Sequence, residues 1–216
     1  MEEYLQEFEK KSIFILREVK ATFKKPAVLW STGKDSTLTL FLLKRAFYGI
    51  VPFPVIHIDT SRQPKEIYEF RDKVAREWNL DLKVIKSPYF GQISPFTHSK
   101  LECCSKLKTE ALKLAIKTLK LDGVIVAIRR DEHGVRSKER YISPRDRHFR
   151  WKYTSQPVEL VGWSIVFTDF KGADHLRIHP ILHWTVLDVW EYVRENNLPV
   201  NPLSVSYTHL TLPTKA

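Results

Sequence analysis

The sequence predicts an α/β protein, a three-layer αβα arrangement around a mainly parallel central sheet. Three observations lead there. Short strand-like runs at 27–30, 55–59, 82–85, 123–128 and 176–178 alternate with helical patterns at 35–47, 64–78, 101–119 and 185–195. That order builds a parallel sheet covered on both sides through right-handed crossovers. The first run turns into its helix through a small, polar joint that contains a glycine. Three strand ends carry polar or charged clusters, and strand ends are where open sheets of this kind hold ligands.

Residues 4–23 place Leu5, Phe8, Ile15, Leu16, Val19 and Phe23 on one helix face, and Pro26 closes the segment. This helix is expected to pack on the sheet. The run Ala27-Val28-Leu29-Trp30 reads as the first strand, and Ser31-Thr32-Gly33-Lys34-Asp35-Ser36 as its joint to the helix over 35–47. Gly33 is the first glycine of the chain and supplies a position tolerant of positive φ or of close ligand approach. A helix N-terminus exposes unpaired N–H groups that attract anions. Lys34 adds a full positive charge, and the hydroxyls of Ser31, Thr32 and Ser36 offer further hydrogen bonds to phosphate oxygens. The joint therefore points to a nucleotide phosphate; a capped helix start is the plain alternative.

His57-Ile58-Asp59-Thr60 ends the second strand. Asp59 suits a ribose hydroxyl, an adenine amino group or a metal-bound water, or else the capping of the next helix. After the fourth strand, Arg129-Arg130-Asp131-Glu132 opens a stretch dense in arginine that runs to residue 150. Arg129, Arg130, Arg136, Arg140, Arg145, Arg147, Arg150 and Lys138 there outnumber Asp131, Glu132, Glu139 and Asp146. A solvated face accounts for the later arginines. The early ones directly follow a strand, and a planar fork suits phosphate or sulfate oxygens. Thr185 with Asp188 reads as a capping-box variant that starts the last helix.

Composition bounds the partners. At 43% apolar and 28% charged the chain is ordinary for a globular domain with a sizeable core. No stretch approaches the roughly 20 apolar residues needed to span a bilayer, and the acidic start carries no signal-like run, so no membrane association and a cytoplasmic protein are expected. The only cysteines, Cys103 and Cys104, are adjacent, which argues against a disulfide framework and for a reducing compartment. The net charge of +10 suits an anionic partner without choosing among nucleic acid, nucleotide, sulfate and acidic protein. Nucleic acid is not expected, because no aromatic-interleaved stacking surface or RNA motif is present.

Neither a Gly-x-x-x-x-Gly-Lys-Ser/Thr loop nor a Gly-x-Gly-x-x-Gly fingerprint occurs. The 31–36 segment instead resembles the Ser-Gly-Gly-x-Asp-Ser pyrophosphate loop of the PP-loop, adenine-nucleotide α-hydrolase-like superfamily, with Thr32 departing at the second position. Further phrases include Pro52 to Thr60, Tyr68-Glu69-Phe70-Arg71-Asp72, Lys108-Thr109-Glu110, Arg136-Ser137-Lys138-Glu139-Arg140 and Arg145-Asp146-Arg147-His148-Phe149-Arg150-Trp151. Together, over residues 10–203, they resemble the small, catalytic subunits of heterodimeric ATP sulfurylases, the sulfate adenylyltransferase subunit 2 proteins, within the phosphoadenylyl-sulfate reductase family.

The resemblance implies a nucleotidyltransferase that moves the adenylyl group of ATP, with Mg²⁺, to sulfate, and a GTPase large subunit as partner. It implies that Ser31, Thr32, Gly33, Lys34, Asp35 and Ser36 hold the leaving pyrophosphate, with Asp59 and Thr60 on the nucleoside or Mg²⁺. Lys34, Arg129, Arg130, Arg136 and Arg140 are implied as catalytic, Arg129 and Arg130 on the α-phosphate and sulfate and the other two as lid-like contributors. Cys103-Cys104 resembles instead the paired cysteines of the reductase branch, which help hold a [4Fe–4S] cluster; this alternative makes the chain an adenylyl-sulfate or phosphoadenylyl-sulfate reductase. A four-cysteine cluster takes two thiolates more than the sequence has. The expected organisation is one nucleotide-binding catalytic domain over 1–203, truncated against the family, and a non-native tail over 204–216 that resembles a translated sequencing adaptor.

Overall fold

A computed structural model describes residues 2–93, 98–134, 136–151 and 173–204. The tail expected to be foreign lies outside the described residues from 205 onward. In chain order the elements are α1 (Glu3–Thr22), β1 (Pro26–Leu29), α2 (Lys34–Ala46), β2 (Val55–Asp59), α3 (Lys65–Glu77), β3 (Leu82–Lys86), α4 (Lys100–Cys104), α5 (Glu110–Leu119), β4 (Gly123–Ile125), β5 (Ile142–Arg145), β6 (His175–Ile178) and α6 (Val186–Glu195). The strands form one sheet in the order β3-β2-β1-β4-β6-β5. All neighbours are parallel except β5, which runs antiparallel to β6.

Alternation along the strands divides the core in two. Val28, Val55 and Ile125 face a large cluster that takes in Leu16 and Val19 of α1, Leu38 and Leu42 of α2, Val74 of α3 and Tyr192 of α6. Ala27, Ile56 and Val124, one residue out of step, face Leu112, Ala115 and Ile116 of α5. Helices thus cover both faces, as the alternating sequence predicts. At about 25 cal/mol per Å² of apolar surface, each of these buried aliphatic side chains contributes about 2 kcal/mol before the entropy of ordering it. Among the described residues no helix is long and apolar enough to cross a membrane.

Three expectations change. The single helix over 101–119 is interrupted by a π-helical turn at Ser105–Thr109, where Ser87 Oγ donates to the Lys106 carbonyl at 2.6 Å. A side-chain hydroxyl bonded into the backbone ladder offers one carbonyl an alternative partner and so accommodates the wider turn. The fourth strand ends at Ile125, not 128, because Ile128 N turns back to the Val126 carbonyl at 3.0 Å. The arginine-dense stretch contains a strand, β5, with Arg145 only 6% exposed. Pro144 and the charge density hid it from the sequence; as the sheet's edge strand, β5 can accommodate a proline that a central strand could not.

Candidate functional site

From β1 the sheet grows outward through β2 and β3, and the chain then returns to add β4 on the other side of β1. The connections leaving β1 and β4 part there, which opens a crevice beyond the carboxyl ends of those strands. Residues 30–36 and 126–132, the segments singled out in the sequence, flank it.

The first of these departs from β1 with Trp30 fully buried and its Nε1 donating to Thr37 Oγ1 at 3.1 Å. Positive φ falls on Thr32, at +64°, and not on Gly33, which sits at −74°. Of the two uses expected of Gly33, positive φ is therefore corrected, and a Cβ there would meet only Ser31 Oγ, at 3.5 Å, an ordinary contact. Thr32 is strained at its position by about 1–2 kcal/mol, as a β-branched residue must be. Its Oγ1 donates to the Ser31 carbonyl at 2.6 Å, and the side chain is buried. Gly33 starts α2 without any side-chain capping bond, so the first N–H groups of a 13-residue helix face the crevice uncapped. Ser36 Oγ lies 3.1 Å from Ser31 Oγ and donates to the Gly33 carbonyl at 3.0 Å, which fixes the loop's shape.

Charge across the crevice is arranged as a chain. Lys34 Nζ meets Asp35 Oδ2 at 2.9 Å and stands 5.9 Å from the Trp190 ring. Asp35 Oδ1 pairs with Arg129 Nη1, and Arg129 Nε donates to Asp131 Oδ1 at 2.9 Å. Asp131 Oδ2 in turn accepts from Val186 N, the first residue of α6, at 2.7 Å. The Arg129 side chain is 5% exposed. Burial by itself would push its pKa down, but Asp35 and Asp131 outweigh it and raise the pKa, so the guanidinium stays charged. Arg129 thus braces the 31–36 loop against the segment after β4 and the start of α6.

Two adjoining cavities open along this crevice and share Ser31 and Ile67. The smaller, about 360 Å³, is lined by residues 31–35, Trp190 and Asn201 among others. The larger, about 610 Å³, runs past Trp30, Ile58, Thr60, Gln63, Lys108, Thr109 and Arg177. These volumes lie in the range of pockets that take small ligands and cofactors. Asp59 closes the far side of β2: its Oδ1 accepts from Ser61 N at 2.8 Å and Tyr68 Oη at 2.9 Å. Behind it His57, fully buried, is held between the Trp30 carbonyl at 3.0 Å and Gln63 Oε1 at 3.1 Å, with its pKa lowered by burial.

The structure brings Ser31, Thr32, Gly33, Lys34, Asp35 and Ser36 into one loop, with Thr60 on the neighbouring cavity wall. It does not bring the other arginines with them. Arg130 lays its guanidinium 5.4 Å from the centre of the Tyr141 ring. Arg136 pairs with Glu132, and Arg140 is exposed while its carbonyl meets His179 Nδ1 at 2.8 Å. None of Arg129, Arg130, Arg136 and Arg140 lines either cavity. Cys103 is half-buried and Cys104 exposed, at the end of α4. Trp190 and Arg177 line the cavities without having been singled out in the sequence. Arg177 left one signal, a lone cation inside the apolar run Leu176-Arg177-Ile178.

A family model for the phosphoadenosine phosphosulfate reductase domain matches residues 25–207. The sulfate adenylyltransferase subunit 2 of Proteus mirabilis is 42% identical over 203 residues, 93% of this chain and 67% of that protein. That of Bacteroides thetaiotaomicron is 40% identical over 210 residues, 94% of this chain and 69% of that protein. The chain therefore spans about two thirds of these relatives' length. Among solved structures, the phosphoadenylyl-sulfate reductase of Candida auris, in a phosphate complex, matches with a TM-score of 0.66 at 18% identity, over 94% of this chain and 90% of that one. The FMN adenylyltransferase of Candida glabrata in complex with ATP matches with a TM-score of 0.65 at 16% identity, over 93% of this chain and 58% of that one. At such identities the two structures speak for the fold.

Proposed function

The chain belongs to the phosphoadenosine phosphosulfate reductase domain family, among the sulfate adenylyltransferase subunit 2 proteins, and from that premise we propose that it transfers the adenylyl group of ATP to sulfate, releasing pyrophosphate. The observation that carries this reading is the uncapped α2 N-terminus with Lys34 beside it, opening on a small cavity continuous with a larger one. The small cavity suits pyrophosphate and the larger suits the nucleoside and the acceptor. A sulfate oxygen attacks the α-phosphorus, forming a P–O–S link, while the α–β bridging bond breaks and its electron pair leaves on pyrophosphate. Little covalent work falls to the protein, so positioning and charge compensation dominate. Lys34 and the N–H groups of α2 receive the charge that develops on the leaving group. Arg129 acts through Asp35, as a positioning residue, and Arg136 and Arg140 would have to swing inward to act as lid residues.

Mg²⁺ bound to ATP would neutralise phosphate charge. Asp35 is less suited, because each of its oxygens already accepts from a cation, Lys34 or Arg129. Asp59 fits better: its Oδ2 has no hydrogen-bond partner among the described residues and can take a metal-bound water or a ribose hydroxyl. We extend the reading to a GTPase large subunit, which would couple an unfavourable equilibrium to a second hydrolysis, and to a cytoplasmic setting that fits the two free cysteines. The reductase reading rests on Cys103 and Cys104 alone. A four-cysteine cluster does not fit the two cysteines of these 216 residues, and no step is drawn through one.

Incubating the chain with adenylyl sulfate and labelled pyrophosphate, with and without a GTPase large subunit, tests the reading. ATP is expected to form, and Lys34→Ala to lower its rate by about 100-fold, the scale of one lost charge-stabilising donor. A folded chain that binds ATP yet forms none from adenylyl sulfate would refute it.

A further inference from the structure

One face of β5 and β6 holds a guanidinium that no side chain among the described residues pairs with. His175, Arg177 and His179 alternate with Leu176 and Ile178 along β6, so the three polar side chains share one face. Ser143 and Arg145 of β5 pair in register with Arg177 and His175 and join that face. Two carboxylates meet this group, and both are already engaged: Glu139 accepts from Arg145 Nη2 at 2.8 Å and Ser143 Oγ at 2.6 Å, and Asp174 lies 3.1 Å from His175 Nδ1. Arg177 makes no side-chain hydrogen bond or ion pair among the described residues, and its Nε is buried without a partner. The two histidines add no charge, since burial pushes both pKa values down, that of His179 to about 4. Arg177 itself is pushed down to about 10 by burial and by Arg145, which still leaves it protonated at neutral pH.

Arg177 is half-buried, and its buried Nε lacks an acceptor, a cost that an entering anion would remove. Folds keep such a group where a ligand supplies the missing charge. Arg177 lines the larger cavity together with Lys108 and Thr109, and takes no part in the smaller one around the phosphate loop. Lys108 and Thr109 reach that cavity from the π-helical turn. Two cations thus line one cavity, away from the loop that suits pyrophosphate.

We propose that Arg177 is the residue that binds the tetrahedral oxyanion acceptor, sulfate, by donating its free N–H groups to two of the oxygens. This rests on the transferase reading and adds the acceptor's anchor to it. A planar fork satisfies two oxygens at once. The bound dianion meets the Arg177 N–H groups that no other side chain takes, while its remaining oxygens face the nucleotide side of the same cavity.

Binding tests this apart from turnover. Radiolabelled sulfate and ATP are titrated separately by equilibrium dialysis against the full chain, its Arg177→Gln and its Arg177→Lys variants. Sulfate affinity is expected to fall at least tenfold in Arg177→Gln and less in Arg177→Lys, with ATP affinity within twofold of the unmodified chain in both. Unchanged sulfate affinity in either folded variant overturns the proposal, as does an equal loss of ATP affinity, which would place Arg177 on the nucleotide's own phosphate. Should Arg177→Gln not fold, arginine labelling of the unmodified chain with phenylglyoxal decides. Protection of Arg177 by sulfate but not by ATP supports the assignment, and protection by ATP alone or by neither ligand refutes it. If sulfate binds through Arg177 while no ATP forms from adenylyl sulfate, the transferase reading fails and the anion site stands; ATP formation with unchanged sulfate binding in Arg177→Gln is the reverse case.

Discussion

The brace between the 31–36 loop and the segment after β4 yields the most quantitative prediction. Replacing Asp35 with Asn removes one negative charge from the sequence Lys34, Asp35, Arg129, Asp131, whose charges otherwise cancel. Arg129, at 5% side-chain exposure, keeps only Asp131. Breaking a buried pair by removing one partner costs about 3–5 kcal/mol when no other partner remains. Here Asp131 remains and Asp35 is 18% exposed, so about 2 kcal/mol is expected, a fall in Tm of about 4–8 °C for a chain of this size. Arg129→Met leaves Asp35 with Lys34 and Asp131 with the α6 N-terminus, so no carboxylate is orphaned. In that background Asp35→Asn should cost less than about 1 kcal/mol. Chemical denaturation of the four proteins, read at equal m-values, therefore gives a coupling of about 1–2 kcal/mol. A coupling below about 0.5 kcal/mol would mean that the brace carries no energy and that Arg129 is held by packing alone.

Thr32 at positive φ predicts that Thr32→Gly unfolds at the same temperature or higher, strain relief offsetting the added freedom of the unfolded chain, whereas Thr32→Val unfolds lower; thermal melts showing Gly well below Val would contradict the strained loop. Stability should fall on acidification from pH 6.5 towards 4, because His179 and His183, buried and each with pKa lowered to about 4, stay neutral in the fold while the unfolded chain takes up protons in that window. The two contribute at most about 3 kcal/mol each over that range, and urea midpoints at pH 7.5 and 5 should converge in His183→Phe relative to the unmodified chain. Cys103→Ser with Cys104→Ser is expected to leave ATP formation from adenylyl sulfate within twofold, since neither thiol lines a cavity; a loss of tenfold or more would favour the reductase reading.

Alternation of apolar runs with amphipathic ones was enough to read the layers and four of the six strands within a residue at either end, because burial on both sheet faces leaves a plain periodic signal. Where the sequence misled, a local competitor decided. Ser87 reaches 19 residues forward to the π-helical turn, a contact no window could reveal, and β5 carries a proline and an arginine because it lies at the edge of the sheet. The phosphate loop was legible as a loop but not in its torsions: the left-handed residue is the threonine, and the glycine beside it is extended. Density of arginine was the weakest guide. Arg129, expected as a substrate contact for standing directly after a strand, gives Nε and Nη1 to two carboxylates.

Counting partners separates these arginines better than counting arginines does. A guanidinium that meets two carboxylates, as Arg129 does, has little field left for a ligand, and its value lies in holding α2, the segment after β4 and α6 in register around the crevice. Arg145 and Glu139 form a similar closed pair behind the sheet. Arg177 differs in having a buried Nε without an acceptor, which an anion entering the cavity it lines would supply. The same reasoning accounts for Lys34: its bond to Asp35 is solvent-touched and local, so it can yield to a phosphate at small cost, whereas the buried Asp35–Arg129 pair behind it cannot. On the proposed reading, Lys34 lines the smaller cavity where a leaving anion would depart and Arg177 the larger one where an attacking anion would arrive.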